Sequence, residues 1–128
     1  MKEELITFQT AELVSELGFT FGLGNGQKFY YPQSEELTEN HRGNNYPAPT
    51  QSLLQKWLRE KHKVDIQVND YTQDSYISFV DKRVSKTHVM KIEAKSNIGK
   101  TYEDALEKAL HRALTLVYEL KQNQNEHR

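Results

Sequence analysis

The sequence predicts an α+β domain: a two-layer sandwich in which helices cover one face of an antiparallel meander. Three observations carry this. Val64-Asp65-Ile66-Gln67-Val68 alternates strictly between apolar and polar side chains, which is the period of a strand with one covered face. Two further runs, 75–80 and 87–95, are rich in β-branched and aromatic residues and follow at turn-length spacing; connections that short join antiparallel neighbours. Stretches with apolar stripes at helical spacing, 50–62 and 102–121, stand on either side of these strands. They supply the second layer that three strands need to bury a face.

Taken in order, residues 7–17 read as a first helix. Phe8, Ala11, Val14 and Leu17 recur at helical spacing, and Gly18 stands where the residue after a C-cap takes a positive φ. Residues 19–31 read as a short hairpin around Asn25-Gly26, a pair in which both positions accept positive φ. Its second arm, 28–31, is a candidate fourth strand of the meander, and Pro32 ends it. Residues 33–48 are polar and show no apolar period, so they are expected to form a long mobile loop.

Pro47 and Pro49 hold the chain extended before the central helix. Thr50 caps it, and Leu53, Leu54, Trp57 and Leu58 form its stripe. Gln51, Gln55, Arg59 and Glu60 are expected on its wet side. Trp57, the only tryptophan, is expected to be buried between the sheet and the last helix. In the third strand Met90, Ile92 and Ala94 should face the core, with Val89, Lys91, Glu93 and Lys95 on the other side. Thr101 opens the last helix with Asp104 at the capping-box position. Ala105, Leu106, Ala109, Leu110, Ala113, Leu114 and Val117 give it a broad apolar face, with alanines small enough for close approach. Residues 1–121 are expected to form one domain, with 122–128 as a frayed tail.

Ala48-Pro49-Thr50-Gln51-Ser52-Leu53-Leu54-Gln55-Lys56-Trp57-Leu58-Arg59-Glu60 resembles a segment found in small proteins of tailed bacteriophages and prophages. Residues 6–19 and 101–110 look like the flanks of the same family, so the resemblance covers most of the chain in three islands. It implies a phage or prophage origin and an accessory role. The family is uncharacterised and supplies no catalytic residue to carry over.

Composition narrows the chemistry. The chain of 128 residues has no cysteine, which removes disulfides, thiolate nucleophiles and thiolate metal sites together. No apolar run approaches the roughly 18 residues that span a bilayer, so the expected location is the cytoplasm of the bacterial host, with no membrane partner. The net charge of −1 divides into −4 over residues 1–49 and +3 over residues 50–128.

The glycines at 22, 24 and 26 suit a hairpin turn better than a phosphate loop, because a strand rather than a helix follows them. His111 and Glu107 stand at i, i+4 on one helix, a spacing that ordinary wet helix faces share with metal sites. No cofactor or metal is expected. No nucleophile elbow or paired carboxylates in a glycine-rich setting occur. The remaining candidate is a basic run, Lys82, Arg83, Lys86, Lys91 and Lys95, extending to Lys100. With Tyr76 or Phe79 beside it, it offers a surface for a phosphate backbone. The plainer reading is an exposed sheet kept soluble by lysines.

The sequence thus favours a non-enzymatic accessory protein that binds another protein, with self-association as one form of that binding. A nucleic-acid-binding module using the sheet surface from Lys82 to Lys100 is the rival. An enzyme with an unrecognised site is the third reading.

Overall fold

The computed structural model describes residues 5–19, 27–39, 45–69, 72, 74–81, 86–92 and 101–126. The elements run α1 (Phe8–Glu16), β1 (Phe29–Tyr30), β2 (Leu37–Thr38), β3 (Tyr46–Pro47), α2 (Gln51–Lys61), β4 (Asp65–Val68), β5 (Ser75–Asp81), β6 (Lys86–Ile92) and α3 (Tyr102–Glu126). The chain is an α+β fold with three helices and two small antiparallel sheets among the described residues.

The helices begin and end where local chemistry sets them. The Thr7 hydroxyl accepts from the Thr10 N–H at the start of α1, and Thr50 accepts from the Leu53 N–H at the start of α2. Both satisfy N–H groups that have no partner within the helix. Thr101 and Asp104 form a reciprocal capping box at α3, each side chain accepting from the other's N–H at 3.2 Å. At the end of α1, Gly18 takes φ +73°. Its N–H bonds to the Ser15 carbonyl and that of Phe19 to the Val14 carbonyl. These are the two bonds of a Schellman ending, and they fold Phe19 back onto the helix.

The larger sheet has the order β4-β5-β6 and is the meander the alternation predicts. Ile66 pairs with Ile77, and Ile77 with Met90. That row, with Val68, Phe79 and Ile92, faces the core. α3 lies against β4 and β5, and α2 against β4 and α3. Ala105, Ala109 and Ala113 of α3 are fully buried, which permits the close approach of helix to sheet. α1 packs on α3 and β3. Trp57 is buried at 4% exposure, edge-on to Phe19 at 5.1 Å and to His62 at 4.7 Å.

Several expectations are corrected. The strand at 28–31 exists as β1 but is not part of the meander. It is the centre of a second sheet of order β2-β1-β3. Two-residue strands are too short to set a register by side-chain pattern. Here the backbone does it, with the Ala48 N–H donating to the Lys28 carbonyl and the Tyr31 N–H to the Glu36 carbonyl. The stretch 33–48, read as one loop, accordingly contains β2 and β3, and Pro47, Ala48 and Pro49 are buried. Residues 122–126, read as tail, continue α3 to Glu126. Gln51, assigned to the wet side of α2, is 5% exposed. The first hairpin arm with Asn25-Gly26 and the strand end 93–95 lie outside the described residues.

Candidate functional site

Among the described residues two places combine exposed chemistry with a defined geometry: a polar junction beside a cleft, and the side of the meander away from α3.

At the junction three helices meet on one carboxylate. Thr7 Oγ1 and Thr10 Oγ1 donate to Glu107 Oε2 at 2.9 and 2.5 Å, and the Thr7 N–H donates to the same oxygen at 3.0 Å. Gln51 Nε2 donates to Glu107 Oε1 at 3.1 Å and to the Glu103 carbonyl at 2.9 Å. Glu107, in α3, thus accepts bonds from the N-terminus of α1 and from the first turn of α2. The negative charge at the start of α1 also matches the sign of the helix dipole.

Gln51 is buried because its amide has partners, which hydrophobic periodicity does not register. Next to this junction is a cleft of about 500 Å³ whose other walls are Gln9, Ile92, Lys108, His111 and Arg112. Both carboxylates lining it are engaged, Glu107 as above and Asp104 in the capping box. Among the described residues no three His, Asp or Glu side chains converge to hold a metal; Glu107 joins the helices, and His111, one turn on, lines the cleft.

The other place is the meander's outer face. Antiparallel register puts Asp65 and Gln67 of β4, Tyr76, Ser78 and Val80 of β5, and Thr87, Val89 and Lys91 of β6 on the side away from α3. Three large apolar side chains are exposed there: Val89 at 65%, Val80 at 44% and Tyr76 at 36%. Among the described residues β6 is also the edge of the sheet, seven residues long, paired with β5 on one side. It contains neither proline nor glycine. The opposite edge, β4, has four residues.

Of the basic residues that the sequence singles out, Lys86 and Lys91 are described. Lys86 opens β6 opposite Asp81, and Lys91 is on the outer face opposite Tyr76. Alternation puts the two on opposite faces of the strand, about 17 Å apart along it. Lys91 Nζ stands 3.6 Å from Asp74 Oδ2 and 6.0 Å from the centre of the Tyr76 ring. Lys82, Arg83, Lys95 and Lys100 lie outside the described residues. The described part of the run is therefore two lysines on opposite faces of β6, of which Lys91 is the one in the outer patch, with Asp74 beside it.

The exposed valines escape a search for chemical motifs. The signal for them is the alternation itself, which assigns Val89 to the outer side. No helix of the described residues is long and apolar enough to cross a membrane. No family model matches the chain, and no curated protein or solved structure is significantly similar to it.

Proposed function

We propose that this is a non-enzymatic accessory protein of a phage or prophage that works by binding another protein on the outer side of β5 and β6. The observation that carries the reading is Val89, 65% exposed, in the middle of an edge strand with β5 as its neighbour on one side. An edge of this kind offers backbone N–H and C=O groups to a further strand, and the exposed side chains beside it set which strand is accepted. The resemblance of residues 48–60 to the phage segment supports the origin, and the bacterial cytoplasm is the setting that goes with it. The nucleic-acid reading has less support among the described residues, where Lys86 and Lys91 stand on opposite faces of β6 and Lys91 has Asp74 beside it, whereas a phosphate track needs several cations on one face.

The test replaces Val89 with a photoreactive phenylalanine and irradiates the protein in its bacterial host. Protein adducts at residue 89 are expected. In parallel, labelled single- and double-stranded oligonucleotides should be released well below physiological salt. Adducts to nucleic acid, or tight oligonucleotide binding that persists at that salt, would replace this reading with the nucleic-acid one.

A further inference from the structure

Resting on the reading of β6 as a docking edge, we propose that the partner strand is β6 of a second copy of this chain. The two strands pair antiparallel about a twofold axis through Val89 and join two meanders into one six-stranded sheet.

The symmetry follows from the sheet. A twofold axis perpendicular to the sheet keeps the helix-covered faces of both copies on one side. Residues opposite each other then belong to the same face, so the axis must pass through a residue rather than between two. Among the seven residues of β6, Lys86–Ile92, an axis through Val89 is the choice that pairs all seven. Lys86 then stands opposite Ile92, Thr87 opposite Lys91, His88 opposite Met90, and Val89 opposite itself. Neither of the strand's two cations meets a cation, which would be destabilising directly across a ladder.

The side chains match on the outer face and at Met90 on the covered one. On the outer face, Val89 meets its copy at the centre, and Lys91 reaches the Thr87 hydroxyl of the other strand. The Tyr76 and Val80 pairs flank them from β5, so two separate apolar patches become one. On the covered face, half-buried Met90 gains a neighbour beyond the edge. α3 lies over β4 and β5 and so leaves β6 accessible from the side.

The middle of the strand lacks the devices that keep an edge from pairing. The strand has no proline, and its lysines stand at its first and sixth positions. The central Thr87-His88-Val89-Met90 carries no Lys, Asp or Glu.

Sedimentation of the purified chain from about 1 to 500 μM, the span over which a small interface associates, should show the mass rising from 15.0 kDa to twice that value. Val89→Lys sets two ammonium groups against each other on the axis. It should hold the mass at 15.0 kDa throughout, with an unchanged circular dichroism spectrum, because the side chain it replaces is largely exposed.

Val89→Cys gives a second, independent readout, since the chain has no other cysteine. Mild oxidation should convert it to a disulfide dimer many times faster than Gln67→Cys on the opposite edge strand. A wild-type chain monomeric across the series, a dimer indifferent to Val89→Lys, or equal rates for the two cysteine variants would each overturn the proposal. A monomer whose residue 89 still crosslinks to a different protein in the host removes the second copy and leaves the docking reading standing.

Discussion

Tyr30 shows how one side chain ties the small sheet to α1 and the segment before it. Its hydroxyl donates to the Ile6 carbonyl at 2.7 Å, and its ring stands edge-on to Phe8 at 5.7 Å. Burial, and then the negative charge of Glu107, push its pKa above the ordinary 10.0. The raised value means that the folded chain keeps the proton after the unfolded chain has lost it. The contribution to stability is therefore complete below about pH 10 and is lost as pH rises from there through the folded pKa. Tyr30→Phe should cost about 0.5–1.5 kcal/mol at neutral pH for the lost hydrogen bond. Urea midpoints of the two proteins should then converge as pH rises past about 10, the ordinary tyrosine value. Groups common to the two proteins cancel in the difference. A gap that stays constant up to pH about 11 would show that Tyr30 ionises alike in both states.

Between elements, the hairpin of β1 and β2 is the feature that side-chain pattern leaves hidden. Its loop closes with the Tyr31 N–H on the Glu36 carbonyl and the Glu35 N–H on the Tyr31 carbonyl, and Glu35 takes φ +61°. A residue with a Cβ pays about 1–2 kcal/mol in that region. Glu35→Gly removes this strain and adds about 0.5–1 kcal/mol of unfolded-state entropy. The expected outcome is a net gain of up to about 1 kcal/mol in chemical denaturation; a loss would mean that the Glu35 side chain is needed in place.

The same hairpin marks the limit of what the sequence discloses. Helix starts at Thr7, Thr50 and Thr101 and the strands at 65–68, 75–81 and 86–92 each have a local physical signature, and all were legible. Strands of two residues have none, because their register comes from backbone bonds rather than from a side-chain pattern. Gln51 was misplaced for a related reason: its burial depends on Glu103 and Glu107, more than fifty positions away. Alternation did assign Val89 to the outer side of its strand. That this side stays open depends on where α3 packs.

At the scale of the molecule, the core is one cluster drawn from α1, α2, β4, β5 and α3, and the small sheet is attached at its margin. Tyr30 and Tyr46 of that sheet pack against the cluster from outside. Phe8 joins them to α1, its ring centre 5.7 Å from each. A unit held by so few side chains opens at lower free energy than the sheet that shares the main core. Amide exchange should therefore fall into two classes, with Ile66, Ile77 and the middle of α3 exchanging only through global unfolding and β1 and β3 through a smaller opening. Phe8→Ala tests the attachment. It removes the aromatic bridge while Ala11 and Val14 keep α1 on the core, so exchange at Tyr30 and Tyr46 should accelerate by an order of magnitude or more. That corresponds to about 1.4 kcal/mol or more of local stability. Exchange at Ile66 and Ile77 should change far less. Equal acceleration at all four amides would show that the small sheet and the meander unfold as one unit, with Phe8 supporting both.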